Sequence, residues 1–384
     1  MIGAGVNGTA PLSITHFVEN MERGGLERAV IDLIGAQREA GHECRLVCLF
    51  ERGALADELS ASGVSVETCN KRRGADFRAL RRARDLLRGG GVLHTHNAAA
   101  HYHAVLASVG LPLQRVINTR HGMGESNPRS RREWLYRRAM SRTDYAVAVC
   151  ETARRHLQNS GVAPRSGVLS IPNGIRTEGF RAAGDAARAR LRDELGLPSG
   201  SRLIGTVGRL EPVKDQANLI RAFRLARLSV PDAVLVVVGD GALRCELERV
   251  AEAEGVANAT RFLGDRSDVP QLLQGLDVFA LSSVSEGYSI ALLEACAAQL
   301  PIVATDVGGN GEIVRDRRNG LLVPARNADA LAAALTEMLS APSYAAAMGE
   351  IGRQWVTQEG SFRTMARRYE ALYRNAVALP DRVR

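Results

Sequence analysis

Apolar and polar positions in this chain alternate in blocks. Short apolar runs at 12–18, 45–49, 64–67, 92–96, 116–119, 145–150 and 167–171 predict strands. Amphipathic stretches at 26–40, 54–62, 77–88, 101–109, 132–141 and 152–160 lie between or beside them and predict helices. A polar, Gly- and Pro-punctuated segment at 175–200, with one charged helix near 188–195, reads as a linker and domain entry. The pattern then starts again. Strands are expected at 203–207, 233–238, 260–263, 278–281, 302–305 and 321–323, a helix at 215–228, and terminal helices at 328–340, 344–357 and 362–377. The run at 233–238 is continuously apolar, as in a parallel strand covered on both faces. Such alternation implies βαβ units around parallel sheets, so the expected class is α/β with two parallel-sheet halves. Ligands of these sheets bind beyond the carboxyl ends of the strands, which for two facing halves means the cleft between them.

Composition narrows this picture. With 384 residues, 45% hydrophobic and 24% charged, the chain is globular and long enough for two domains, and 4% aromatics make its core mostly aliphatic. Six cysteines show neither C-x-x-C pairing nor zinc spacing, which favours reduced, buried thiols and a cytoplasmic location. Residues 1–11 read as a loose leader without the basic segment of a secretory signal. The stretch 89–114 carries no Asp, Glu, Lys or Arg, but its four histidines, glycines and proline exclude a membrane span.

The net charge of +8 sits entirely in the first 180 residues, where Lys and Arg exceed Asp and Glu; beyond them the two balance. Two segments carry the excess, 71–88 and 127–142. The second reads as a basic amphipathic helix with Arg131, Arg132, Trp134, Tyr136, Arg137 and Arg138 as a membrane- or acceptor-facing surface. Such segments lie on anionic inner-membrane surfaces with a gain of about 1 kcal/mol per basic residue, so peripheral membrane contact is expected. Nucleic acid is the rival acidic partner; no recognised binding module supports it.

Chemistry concentrates around Ser285–Ala298. The strand at 278–281 feeds a turn through Gly287, with Ser289 placed to cap the following helix. That geometry presents backbone N–H groups to an anion. Glu286 stands in the turn, and Glu294 lies roughly 7–8 Å further along the helix axis. A group with negative charge in its middle and hydroxyls at both ends, such as a sugar nucleotide, fits all three features. Arg209 and Lys214 follow a strand at the start of a helix, where they can reach a pyrophosphate, or can simply be solvated. Gly24-Gly25 follows the first strand, as a ligand-approach loop or a plain turn. His121 follows the strand at 116–119. His94, His96, His101 and His103 suggest a metal, but no carboxylate or cysteine lies near them in sequence and there is no Asp-x-Asp motif, so no metal site is expected.

Read in order, the motifs resemble the family 4 retaining glycosyltransferases of the GT-B fold. The first half contributes Gly24-Gly25-Leu26-Glu27, His94-Thr95-His96, His121-Gly122 and Asn173-Gly174. The second contributes Gly208-Arg209-Leu210 with Lys214, Val238-Gly239-Asp240-Gly241, Phe262-Leu263-Gly264, Glu286-Gly287-Tyr288-Ser289 with Glu294, Thr305-Asp306-Val307-Gly308-Gly309 with Glu312, and Asn319-Gly320-Leu321-Leu322-Val323.

The resemblance covers nearly the whole chain. It implies two Rossmann-like domains facing across a cleft, an acceptor-binding one at 1–178 and a nucleotide-sugar-binding one at 179–360, with a C-terminal helix at 361–384 crossing back to the first. It assigns Arg209 and Lys214 to the leaving diphosphate, Glu286 to donor-sugar hydroxyls, Glu294 to the ribose, and the backbone of Gly287, Tyr288, Ser289 and Ile290 to phosphate oxygens. Gly24, Gly25 and Asn173 join the donor site and His121 the reaction centre. The implied activity is transfer of a hexose from a UDP-sugar or GDP-sugar, without cofactor or metal, to a glycan acceptor, lipid-linked because of the basic face. A small soluble acceptor, a sugar-nucleotide epimerase and a silent sugar-nucleotide sensor stay open as alternatives.

Overall fold

The computed structural model describes residues 10–22, 24–122, 130–180, 182 and 184–375. The leader at 1–9, the start of the basic segment at 127–129 and the helix end at 376–377 lie outside them. Contacts divide the chain into one unit of Met1–Pro172 with Met365–Arg384, and a second of Asn173–Thr364.

The first unit is built on seven parallel strands: β1 (Ser13–Val18), β2 (Glu43–Cys48), β3 (Ser65–Thr68), β4 (Gly91–His96), β5 (Leu113–Arg120), β6 (Tyr145–Ala148) and β7 (Gly167–Ser170), ordered β3-β2-β1-β4-β5-β6-β7. The order reverses between β1 and β4, the kind of switch point at which such sheets open a crevice beyond their carboxyl ends. Alternation sends neighbours to opposite faces. Leu46 and Cys48 pack with Val30, Ile34 and Leu59, while Val47 and Leu93 pack with Ala79, Ala83 and Ala104. The same alternation on β4 directs Thr95 away from His94 and His96. Thr95 and Asn118 form a second polar set, with Thr95 Oγ1 2.8 Å from His101 Nδ1 and Tyr136 donating to Asn118 Oδ1 at 2.7 Å.

The second unit has six parallel strands: β8 (Arg202–Val207), β9 (Ala233–Val238), β10 (Thr260–Gly264), β11 (Val278–Leu281), β12 (Ile302–Thr305) and β13 (Leu321–Val323), ordered β10-β9-β8-β11-β12-β13. All six residues of β9 are buried, as its unbroken apolar run predicts. Phe223, Leu235, Val237, Leu331 and Leu335 share one aliphatic-rich core. Burying each such large side chain contributes roughly 1.5–3 kcal/mol.

The terminal helix Phe362–Tyr373 places Tyr369 and Tyr373 inside the first unit, against His94. Two sequence expectations change in detail. The strand at 116–119 extends back to Leu113, through Gln114 and Arg115, whose polarity hid it. The helix expected from 215 begins at Gln216, because Pro212–Lys214 forms a 3₁₀ turn and Asp215 takes φ +47°. Tyr136 is a correction: its ring is fully buried, with the Arg120 guanidinium 4.9 Å from its centre. Residues two apart on a helix diverge by about 200°, so Trp134 and Tyr136 cannot share a face. Trp134 is the exposed one.

Candidate active site

In the second unit the motifs fold onto one another. Gly208-Arg209-Leu210 leaves β8 pressed against the turn after β9. A Cβ at Gly239 would lie 2.1 Å from the Gly208 carbonyl, and one at Gly241 2.5 Å from that of Leu210. Leu210 is fully buried, and its N–H donates to the Asp240 carbonyl at 2.9 Å. The 3₁₀ turn then delivers Lys214 to the loop after β11, where Val284 N–H donates to Val213 O and Ser282 Oγ to Lys214 O, both at 2.9 Å.

That loop carries Glu286. Its Oε1 accepts from Lys214 Nζ and from Ser283 Oγ, both at 2.6 Å, and the Lys214 and Glu286 side chains are only 22% and 10% exposed. The turn after β12 supports the loop from beneath. Thr305 Oγ1 donates to Ser283 O at 2.6 Å, Gly309 N–H donates to Gly287 O at 2.9 Å, and Gly308 at φ +55° lies directly under the Glu286 carbonyl. Ser289 caps Ile290–Ala297 by accepting from Leu292 N–H. Tyr288 is buried beside it, and Glu294 is half-buried in the second turn.

Lys214 and Glu286, 72 residues apart, are thus brought into direct contact, with Gly287, Tyr288, Ser289 and Ile290 continuing the same loop into its helix. Arg209 is a different case. It is 65% exposed and pairs with Glu211 at 2.7 Å, while its carbonyl accepts from Gln216 Nε2 at 3.0 Å. Asn319-Gly320 turns out to be scaffolding: Asn319 bonds both Ile313 O and Arg315 N–H, and Gly320 abuts Ile302. Asn173 is buried at the start of this unit, and Gly174 lets the chain cross Ser361-Phe362 with no room for a Cβ.

In the first unit, Gly24 precedes the helix Gly25–Glu39 in an extended conformation, φ −171°. His121 follows β5 directly, and its Nε2 lies 3.1 Å from His96 Nδ1. The rest of the network joins residues far apart in sequence. His16 on β1 pairs in register with His94 and contacts His96, Nδ1 to Nε2, at 3.1 Å. Gln37 meets His16 Nε2 at 2.8 Å and donates to Tyr373 Oη at 2.9 Å. His94 is held by Tyr373 at 2.7 Å and by Thr119 at 2.8 Å. The available signal was a histidine inside the apolar strand Ser13–Val18, because a buried polar group there needs a partner.

Burial keeps these rings neutral. It pulls His16 and His121 down to about 4, and His94 and His96 well below the usual imidazole value. His16, His94 and His96 bring ligand atoms within 4.8 Å of one another, but all six ring nitrogens already have protein partners. His101 and His103 bond elsewhere, to Thr95 and Thr143 and to the Ala99 carbonyl.

Two parallel-sheet Rossmann-like units with this set of loops define a GT-B glycosyltransferase architecture. The profile described as Glycosyltransferase Family 4 matches residues 23–178, and that described as Glycosyl transferases group 1 matches 187–355. The chain belongs to the family 4 glycosyltransferases. It is 35% identical over 223 residues to the GDP-mannose-dependent alpha-(1-6)-phosphatidylinositol monomannoside mannosyltransferase of Mycolicibacterium smegmatis, covering 56% of this chain and 58% of that one. It is 29% identical over 263 residues to the UDP-Gal:alpha-D-GlcNAc-diphosphoundecaprenol alpha-1,3-galactosyltransferase of Escherichia coli, covering 64% and 66%. The matches therefore span less than two-thirds of these curated relatives. Anabaena Alr3699/HepE, crystallised in complex with UDP, shares the fold with a TM-score of 0.84 at 20% identity, over 95% of this chain and 100% of that one.

Proposed function

We propose that the protein is a retaining, metal-independent hexosyltransferase. It moves a sugar from a UDP-sugar or GDP-sugar to a hydroxyl of a lipid-linked glycan in surface polysaccharide synthesis, on the cytoplasmic side of the membrane. The observation that carries this reading is the junction of Lys214 with Glu286 beside the capped helix Ile290–Ala297. A cation, a carboxylate and a helix N-terminus suit the phosphates and hydroxyls of one sugar nucleotide. Lys214 and Arg209 neutralise the departing diphosphate, Glu286 holds sugar hydroxyls, Glu294 holds the ribose, and His121 contacts the donor sugar. Gly24, Gly25 and Asn173 complete the donor contacts. The anomeric C–O bond to the diphosphate breaks as the acceptor oxygen bonds on the same face, its proton passing to the leaving phosphate oxygen. The curated relatives named above use GDP-mannose and UDP-galactose, and both act on lipid-linked acceptors.

Peripheral membrane contact is supported by the outer surface of one helical layer in the first unit. Phe77 is 80% exposed, Leu106 58% and Trp134 57%, on the adjoining helices Phe77–Leu87, Ala98–Ala107 and Arg131–Ala139. Arg78, Arg81, Arg82, Arg131 and Arg138 are exposed on the same helices. Arg132 pairs with Glu19, and Arg137 reaches the Ser160 carbonyl. Among the described residues no helix is long and apolar enough to cross a membrane. Flotation with anionic vesicles is expected to capture the protein, and Trp134→Ala with Arg131→Glu and Arg138→Glu to release it; no capture at low salt would favour a soluble acceptor.

A thermal-shift panel of UDP, GDP, ADP and their sugars tests the donor class. One base alone should raise the midpoint, and no rise with any of them would contradict the reading. Sugar transfer or hydrolysis in the same samples would exclude a silent sensor.

A further inference from the structure

The histidines of the first unit form a directed series, and its direction can be read from one end. Gln37 donates through Nε2 to Tyr373 Oη at 2.9 Å, which turns its Oε1 toward His16 Nε2 at 2.8 Å. The Cys44 thiol, 3.6 Å away, points a second donor at the same oxygen. An amide oxygen only accepts, so His16 carries its proton on Nε2. A neutral imidazole has one N–H, so His16 Nδ1 is bare and accepts from His96 Nε2–H at 3.1 Å. His96 Nδ1 is then bare and accepts from His121 Nε2–H, again at 3.1 Å. The series ends at His121 Nδ1, a buried nitrogen with no hydrogen-bond partner among the described residues.

We infer that Gln37, His16 and His96 are positioning residues that fix the tautomer of His121, presenting Nδ1 as a bare acceptor to a hydroxyl of the donor sugar. This rests on the proposed transferase reading for the identity of the sugar, but the tautomer itself does not. The ring positions agree with the hydrogen bonds: His16 and His96 lie nearly parallel, 12° between planes, with centroids 5.4 Å apart, and the His96 and His121 centroids are 5.3 Å apart. Burial, which holds the rings neutral near pH 7, keeps each at one proton, the condition for the direction to propagate. The orientation of one amide, three residues away in the series, therefore decides whether the terminal ring offers a lone pair or an N–H. A lone pair favours a sugar presenting a hydroxyl at this place over one presenting a carboxylate, since a carboxylate has no proton to donate.

The test is the nitrogen spectrum of histidine-labelled full-length protein without any donor, with His121 assigned from His121→Gln. The expected result is a pyridine-type Nδ1 and a pyrrole-type Nε2 for His121. A pyrrole-type Nδ1, or shifts averaged between the two types, overturns the inference. The Gln37 amide oxygen is the acceptor that His16 Nε2 meets. Gln37→Leu, which removes it, should average that pattern and lower kcat for transfer roughly tenfold, with a smaller change in donor KM. An unchanged His121 pattern in Gln37→Leu would also overturn the inference, and if that variant fails to fold, the wild-type spectrum alone decides. Absence of sugar transfer by the wild-type protein would defeat the functional reading while leaving the spectrum to stand or fall by itself.

Discussion

Glu286→Ala is expected to keep its fold and to lose at least about 10²-fold in kcat/KM for sugar transfer. The side chain has two duties. It anchors Lys214 Nζ at 2.6 Å, so removing it lets the ammonium leave the position in which it would meet the diphosphate. In the proposed function it also accepts from donor-sugar hydroxyls. Charge-assisted contacts contribute about 1.5–3 kcal/mol each, and two of them account for a loss of this size. Glu286→Gln keeps the shape and one acceptor but loses the charge, and should fall between the two. Initial rates with the preferred donor check this, alongside thermal melting to confirm folding. A rate for Glu286→Ala within threefold of wild type would remove Glu286 from the chemistry.

The second large effect is expected at a residue that has no side chain. A Cβ on Gly308 would lie 1.7 Å from the Glu286 carbonyl oxygen, and the residue sits at φ +55°. Gly308→Ala must therefore move either its own turn or the loop that holds Glu286. The expected cost is about 2–4 kcal/mol in urea unfolding, with turnover falling nearly as far as in Glu286→Ala. Gly41→Ala is the matched control. Its φ is also positive, at +89°, but no atom lies within 4 Å of the added carbon, so only about 1 kcal/mol is expected. Equal effects at the two glycines would show that the close approach at Gly308 is unimportant.

These two positions show which parts of the molecule can be read from its sequence. The strands were legible because parallel, doubly covered strands are written as apolar blocks, and Ala233–Val238 is the plainest of them. Ser289 was legible as a cap because its role is local: a hydroxyl just before an apolar helix. The meeting of Lys214 with Glu286 was legible only through the ordered motif set, since 72 residues separate the partners. The histidine series was not legible. His16, Gln37, His96 and Tyr373 come from two strands and two helices, and no spacing rule connects them. The four histidines that are close in sequence divide instead between the two faces of β4 and its neighbours. Tyr136 failed for the opposite reason: aromatic and basic residues clustered in sequence suggested one surface, and the helical period turned the ring inward.

The claim on which the account rests is that the Lys214–Glu286 junction receives the phosphates of a nucleoside diphosphate sugar. Titration calorimetry of UDP and GDP into the wild-type protein and into Lys214→Ala measures it directly. One of the two nucleotides should bind the wild type and lose at least about tenfold in affinity without the ammonium, a change of roughly 1.4 kcal/mol. Binding of neither nucleotide, or equal binding to both proteins, would contradict the account.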